Sequence, residues 1–150
     1  MRRACVIGSG PNGLAAAIVL ARAGLPVEVY EAEATPGGGA RTLQLTLPGF
    51  RHDFGSAVHP MAASSPFFNT LPLGNHGLQW VHGTAALAHP LDDGTAVTLE
   101  HSLKDQETVL GRDGHAWREL MEPLARHWRD FTVDAMGPVT RIPRRPLLMA

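Results

Sequence analysis

The chain has 150 residues, of which 44% are hydrophobic and 18% charged, and its formal net charge is −1. This composition is typical of a soluble globular domain and excludes a disordered chain, and the scattered charges give no basis for binding nucleic acid or anionic lipid. The single cysteine, Cys5, cannot form an internal disulfide, so we expect a cytoplasmic protein. No segment reaches the roughly 18–20 apolar residues of a membrane span, so no transmembrane segment is predicted.

The first thirty residues predict a strand, a helix and a second strand. Residues 4–7 are an apolar run that ends in glycine, which is typical of a strand buried on both faces, and Cys5 within it is expected to be an inert buried thiol. Residues 12–23 are almost all apolar and predict a helix that is covered on most sides and ended by Gly24. Residues 27–31 alternate with β-branched residues and predict the second strand, which completes a βαβ unit.

The rest of the chain predicts short β-segments followed by helices. A hairpin around a Pro-Gly turn is expected from residues 42–47 and 50–54. Further strands are expected at residues 78–81, 86–91 and 96–99, with a tight turn at residues 92–94 between the last two. Helices are expected at residues 66–71, at residues 102–110 with Ser102 as the cap, and at residues 115–136. The last helix should kink at Pro123 and bury Trp117 and Trp128 on its apolar face, and the proline-containing tail from residue 137 should be extended.

Residues 8–13 form a G-x-G-x-x-G pattern directly after the first strand and at the start of the first helix. Gly8 permits the tight turn, Gly10 lets the backbone approach a pyrophosphate, and Gly13 lets helix and strand pack closely. The N-terminus of the helix offers free N–H groups and the positive end of its dipole to phosphates. The pattern therefore predicts a dinucleotide-binding loop.

Glu31 ends the second predicted strand, 18 positions after Gly13, close to the spacing of about 20 at which an acidic residue binds ribose. Its carboxylate can accept a hydrogen bond from a ribose 2′-OH and would repel a 2′-phosphate, which disfavours NADP. The alternative interpretation is a glycine-rich turn with a solvated glutamate at the end of the strand.

A second glycine cluster follows Glu31, and a Leu-Pro-Gly-Phe-Arg-His-Asp-Phe-Gly-Ser run comes after it. Counted with the first glycine loop and the acidic strand end, these motifs lie at residues 8–13, 31, 37–39, 41–42 and 47–56. Together they resemble the FAD-dependent oxidoreductases of the glutathione-reductase-like fold, in the branch that holds phytoene desaturases and amine oxidases. The resemblance is dense over residues 4–60 and diffuse beyond them.

The resemblance implies an α/β fold, in which a Rossmann-like FAD/NAD(P)-binding βαβ unit is followed by the start of an α+β substrate domain. It also implies FAD as the cofactor, with its adenosine on Glu31, its pyrophosphate on the first glycine loop, and the second glycine loop near the phosphates and ribityl chain. Gly55 and Ser56 would lie near the flavin. The expected cofactor-binding residues are Gly8, Gly10, Pro11, Asn12, Gly13, Glu31, Ala32, Gly37, Gly38, Gly39, Arg41, Thr42, Gly55 and Ser56.

Arg41 departs from the family pattern, because amine oxidases commonly place arginine directly after the glycine pair, where this chain has Gly39. Its guanidinium could form charge-assisted bonds to a pyrophosphate, and a solvated loop arginine is the alternative. His52, Asp53 and His59 fit no metal or acid–base motif, so we assign neither a metal site nor a catalytic residue. The chain also has no C-x-x-C pair for disulfide chemistry.

We expect residues 1–60 to bind FAD and residues 61–150 to form part of a substrate or cap region that is truncated at its C-terminus. The expected function is the FAD-binding part of an oxidoreductase that removes a hydride from a small organic substrate, of desaturase or oxidase type. The alternatives are a truncated or stand-alone dinucleotide-binding module without catalysis, and an NAD-dependent dehydrogenase domain. Uncovered apolar surface is expected to favour self-association.

Overall fold

A computed structural model describes residues 2–138, 140, 142–144 and 146. The chain divides into two compact units, the first formed by Met1–Ala63 with Phe67–Leu71 and the second by Ser64–Pro66 with Pro72–Ala150. Mixed helices and strands, together with a parallel βαβ start, confirm the predicted α/β fold class.

The first unit begins with the predicted βαβ arrangement. Strand β1 spans Ala4–Ile7, helix α1 Pro11–Arg22 and strand β2 Val27–Tyr30. The two strands pair in parallel, with Ala4 opposite Val27, and α1 packs against both of them. Gly24 adopts φ +81° just after the helix, a conformation in which glycine lacks the steric penalty of other residues. The strand–helix–strand prediction is therefore confirmed to within about a residue at each end.

The burial predicted for this βαβ arrangement is wrong. Side chains of β1 alternate between half-buried and exposed, so that Cys5 is exposed and Ile7 is 88% exposed. Successive strand residues point to opposite faces, and α1 covers only one face of this pair of strands. Helix α1 is likewise open, since Ala17 is buried but Val19 is exposed.

The hairpin that follows is shorter than predicted. Strand β3 spans Thr42–Leu43 and pairs antiparallel with strand β4, His52–Asp53. Helix α2, Pro60–Ala63, was not predicted, and the helix expected at residues 66–71 is reduced to a 3₁₀ turn at Phe68–Thr70. Leu71 is extended because it precedes a proline, which disfavours helical geometry at that position.

The second unit contains the predicted antiparallel pair. Strands β5, Leu87–Pro90, and β6, Ala96–Leu99, are joined by a turn in which Gly94 adopts φ +84°. The strand predicted at residues 78–81 is wrong, because this segment pairs with no strand among the described residues. A 3₁₀ turn at Leu73–His76 lies before it.

Three helices follow the second hairpin. Helix α3 spans Leu103–Leu110 and is capped as predicted by Ser102, whose Oγ accepts a hydrogen bond of 3.0 Å from the Asp105 N–H. A 3₁₀ turn at Gly111–Asp113 leads into helix α4. The long helix predicted at residues 115–136 is two helices, α4 at Gly114–Arg126 and α5 at Trp128–Ala135.

The long predicted helix divides at His127, four residues beyond Pro123, which lies inside α4. Trp117 is half-buried, whereas Trp128 is exposed, so the predicted burial of both indoles is only partly correct. Of the predicted extended tail, residues 139, 141, 145 and 147–150 lie outside the described part of the chain. Within the described part, no helix combines the length and apolarity needed to cross a membrane.

Candidate dinucleotide-binding site

The first glycine loop connects β1 to α1 through a turn that requires two of its glycines. Gly8 adopts φ +93° and its N–H donates to the carbonyl of Tyr30 at 2.7 Å, which continues the β1–β2 ladder. A Cβ on Gly13 would overlap the carbonyl oxygen of Gly8, so the first turn of α1 can approach the loop only without a side chain there. These two positions therefore fix the backbone of the loop.

Gly10 caps α1 with extended geometry (φ −66°, ψ 170°), and Pro11 occupies the first turn of the helix. No side chain caps this end, and the first N–H groups of any helix have no acceptor within the helix. A Cβ on Gly10 would meet only the Gly38 Cα, at 3.9 Å. Together with the helix dipole, this leaves an end of α1 that can bind an anion such as a pyrophosphate.

The second glycine loop packs directly on the first. The Gly37 N–H donates to the Ser9 carbonyl at 3.0 Å, and a Cβ on Gly38 would come within 3.0 Å of the Gly10 Cα. Gly37 and Gly38 have φ values of +120° and +55°, which disfavour other residue types. The structure thus brings together the two loops that the sequence assigned to one cofactor.

A third segment joins the second loop through backbone contacts. The Gly55 N–H donates to the Gly39 carbonyl at 3.1 Å, and a Cβ on Gly55 would lie 3.1 Å from that oxygen. Ser56 follows, with its Oγ 3.4 Å from the Val58 carbonyl and from Nδ1 of His59. Residues 55–56 therefore lie beside the second glycine loop.

Glu31 lies directly after β2 and faces the first glycine loop. Its Oε2 accepts hydrogen bonds from the Ser9 N–H at 2.8 Å and the Ser9 Oγ at 2.5 Å, and its Oε1 accepts one from the Glu33 N–H at 3.0 Å. These hydrogen bonds lower the pKa of Glu31 from 4.5 to about 2, and the bond from the Ser9 hydroxyl contributes most. The carboxylate is ionised at neutral pH and suited to accepting a hydroxyl hydrogen, while exposed Ala32 follows it.

Arg41 is neither solvated nor aimed freely at a phosphate site. Its side chain is 11% exposed, its Nε donates to the Gly38 carbonyl at 2.9 Å, and its guanidinium carbon lies 5.1 Å from the centre of the Phe54 ring. Nη1 is 3.4 Å from Oε2 of Glu33. The alternative of a solvated loop arginine is therefore wrong, because the guanidinium holds the second glycine loop closed and stacks on an aromatic ring.

Thr42 and the predicted histidines lie in the short hairpin or just after it. The Thr42 hydroxyl donates to Asp53 Oδ1 at 2.9 Å, and Nε2 of His52 lies 2.7 Å from the Thr46 hydroxyl. Over the described residues, no group of three or more His, Cys, Asp or Glu side chains could hold a metal ion. This part of the site offers hydrogen bonds that stabilise the loop.

Sequence reasoning missed two residues of the site, Ser9 and Phe54. Ser9 is 3% exposed and bonded on three sides, by its N–H, hydroxyl and carbonyl groups. The signal for Ser9 was its hydroxyl, a hydrogen-bond donor inside the glycine motif that follows the first strand. The signal for Phe54 was weaker, because no spacing rule predicts that a loop phenylalanine contacts an arginine thirteen residues before it.

Comparison with known proteins places the first unit in a broad class. Residues 6–71 match the family of NAD(P)-binding Rossmann-like domains. YgfK of Escherichia coli (strain K12), which is named as an oxidoreductase, is 31% identical over 140 residues, covering 88% of this chain and 12% of YgfK. The mouse pyridine nucleotide-disulfide oxidoreductase domain-containing protein 2 is 36% identical over 125 residues, covering 82% of this chain and 20% of the mouse protein.

A third relative is an enzyme of carotenoid desaturation. The zeta-carotene-forming phytoene desaturase of Myxococcus xanthus is 44% identical over 57 residues, which cover 38% of this chain and 11% of the desaturase. The chain thus spans between about a tenth and a fifth of the length of these relatives. Residues 6–71, with the glycine loops packed at one end of a βαβ arrangement, thus match NAD(P)-binding Rossmann-like domains, and the chain is similar to parts of named oxidoreductases.

Proposed function

We propose that this chain is the FAD-binding part of an oxidoreductase that removes a hydride from an organic substrate, of desaturase or oxidase type. The observation that carries the proposal is the contact between the two glycine loops, where Gly37 bonds to Ser9 and Gly38 lies against Gly10. The similarity to a phytoene desaturase supports the same function.

The residues of the first unit fit an FAD molecule. The uncapped end of α1 suits the pyrophosphate, the ionised Glu31 suits a ribose hydroxyl, and the backbone at Gly10 leaves room that a Cβ would fill. The flavin ring, when bound, supplies the hydride acceptor, and the chain supplies binding and orientation. Gly38, Gly39 and Gly55 would line the path from the phosphates toward the flavin.

We also propose that residues 1–60 form the nucleotide-binding region and residues 61–150 contribute to a substrate or cap region that takes a small molecule. Their different construction supports this division, since the parallel strands lie before residue 60, and the second hairpin and helices α3 to α5 lie after it. Exposed apolar side chains on β1 and β2, including Ile7, Val29 and Tyr30, support self-association of the isolated chain. Sedimentation velocity at rising concentration tests this, and a monomer at all concentrations would contradict it.

A second candidate is a nicotinamide dinucleotide in place of FAD, with or without catalysis by the chain. The family description, an NAD(P)-binding Rossmann-like domain, favours it. NADP is the least suitable of these ligands, because ionised Glu31 would repel a 2′-phosphate.

Calorimetric titration of the purified chain with FAD, NAD⁺ and NADP⁺ separates the candidates. We expect FAD to bind at least about ten times more tightly than NAD⁺, a difference of roughly 1.4 kcal/mol, and NADP⁺ to bind weakest. Tighter binding of NAD⁺ would favour the second candidate, and binding of none of the three would contradict the proposed function. Bound flavin without turnover of added hydride donors would favour the module without catalysis.

A further inference from the structure

Ser9 links three segments of the site that are distant in sequence. Its N–H and hydroxyl both donate to Oε2 of Glu31, at 2.8 Å and 2.5 Å, and its carbonyl accepts the N–H of Gly37 at 3.0 Å. At 3% exposure it is among the most buried polar residues of the described chain. A buried hydroxyl with a carboxylate partner is held in one orientation, and so is its partner.

The bonds around Glu31 determine which of its oxygens is available. A carboxylate offers about four acceptor positions, two on each oxygen. Ser9 occupies both positions on Oε2, and the Glu33 N–H occupies one on Oε1. The backbone of Ala32 makes a further, weaker contact with the carboxylate. Oε1, which accepts one of these three hydrogen bonds, is therefore the more open oxygen for a ligand.

We infer that Ser9 is a positioning residue for nucleotide binding. It holds Glu31 so that Oε1 alone accepts one ribose hydroxyl, while Oε2 stays bonded to Ser9 in the first glycine loop. This role rests on the proposed dinucleotide function. It makes Ser9 act through Glu31 and couples the ribose contact to the conformation of the first glycine loop, which a loop serine facing solvent would not do.

The same bonds set how the contact responds to pH. A carboxylate whose pKa is lower in the folded chain stabilises the fold above its ordinary pKa of 4.5, and that contribution is lost as the pH falls through the folded value of about 2. The backbone N–H of Glu33 bonds to Glu31, and the Glu33 carboxylate is paired with Arg41 at 3.4 Å. Removing the Ser9 hydroxyl removes the largest cause of the lowered pKa.

The first arm of the test needs no nucleotide. Carbon-13 NMR titration of the Glu31 carboxyl in the 150-residue chain should show a pKa of about 2 in the unmodified protein. In Ser9→Ala the value should rise toward 4.5, and in Ser9→Cys, which has a larger side chain but keeps a weak donor, it should rise less. A Glu31 titration that is the same in all three proteins would overturn the inference.

The second arm is a double-mutant cycle on FAD affinity with Ser9→Ala, Glu31→Ala and the double variant. We expect Ser9→Ala alone to weaken binding about five- to tenfold and to add less than about twofold once Glu31 is alanine. Equal losses in both backgrounds would mean that Ser9 acts independently of Glu31 and would overturn the inference. If no variant and no parent protein binds FAD, NAD⁺ or NADP⁺, the proposed function fails, whereas the NMR arm still decides whether Ser9 positions Glu31.

Discussion

The two units differ in the contacts that stabilise each of them internally. In the first, segments far apart in sequence meet backbone to backbone through glycines, as Gly38 does against Gly10 and Gly55 against Gly39. In the second, α3 and α4 are neighbours in sequence and are joined in part by side chains, such as the Arg118–Glu107 ion pair at 2.9 Å. A backbone contact tolerates no added atom, whereas a side-chain contact can be exchanged for another.

The second unit also contains close glycine contacts, at Gly114 and Gly137. A Cβ on Gly114, at the start of α4, would overlap the carbonyl oxygen of Glu107 in α3. The buried side chain of Gln106 also bridges β6 and α3, because its Oε1 accepts the Glu100 N–H at 2.6 Å and its Nε2 donates to the Thr98 carbonyl at 3.2 Å. The comparison therefore predicts that the sensitive positions are glycines in the first unit and mixed in the second.

Gly13→Ala should have the largest effect on stability. The added methyl group would overlap the Gly8 carbonyl, and relieving this overlap should cost about 3 kcal/mol, at the upper end for overpacking. Hydrogen exchange should show lost protection over residues 4–30. Fluorescence of Trp80, Trp117 and Trp128, all in the second unit, should change little.

Gly74→Ala is the matched control for this substitution, because a Cβ at Gly74 meets no atom within 4 Å and its φ is not positive. It should leave hydrogen exchange unchanged. Equal destabilisation by the two substitutions would show that the close contact between Gly13 and Gly8 does not determine the stability of the first unit.

Gly10→Val should remove nucleotide binding while leaving the fold in place. The backbone at Gly10 has dihedral angles open to any residue, and the new Cβ would lie 3.9 Å from the Gly38 Cα, so the Cβ itself causes no overlap. A branched side chain would fill the space of the pyrophosphate, and a cost of about 3 kcal/mol corresponds to a loss of affinity of roughly a hundredfold or more. Flavin retention through gel filtration measures it, and a folded variant that keeps its flavin would place the phosphates elsewhere.

Gln106→Leu should destabilise the second unit by about 1–3 kcal/mol, because it leaves the Glu100 N–H and the Thr98 carbonyl buried without partners. Urea denaturation followed by tryptophan fluorescence measures this loss. Lys104→Ala, on the exposed side of the same helix, is the control and should change the midpoint little. An unchanged midpoint in Gln106→Leu would show that this bridge does not hold β6 to α3.

Local sequence rules predict some features of this fold and not others. The βαβ order, the Ser102 cap and the tight turn at Gly94 follow from local rules of periodicity and backbone geometry, and they were predicted. The Ser9–Glu31 and Arg41–Phe54 contacts join segments separated by more than ten residues, and no local pattern encodes them. Burial of Cys5 was predicted wrongly because an apolar strand does not reveal which of its faces has a covering layer.

The smallest expected effect comes from charge pairs in the second unit. Arg118 is 43% exposed and lies between Glu107 and Glu122, and its hydrogen bond to Glu107 raises the Arg118 pKa. In the Arg112–Asp113 pair, by contrast, the side chains are 94% and 79% exposed. Glu107→Gln should lower stability by less than about 1 kcal/mol, and Asp113→Asn should have no measurable effect. Added salt should reduce the first difference, because ions screen partly exposed charges. A loss of stability in Glu107→Gln that salt does not reduce would show that the Glu107 side chain acts through hydrogen bonding and packing. The difference between the two units would then depend on the geometry of their contacts and not on charge.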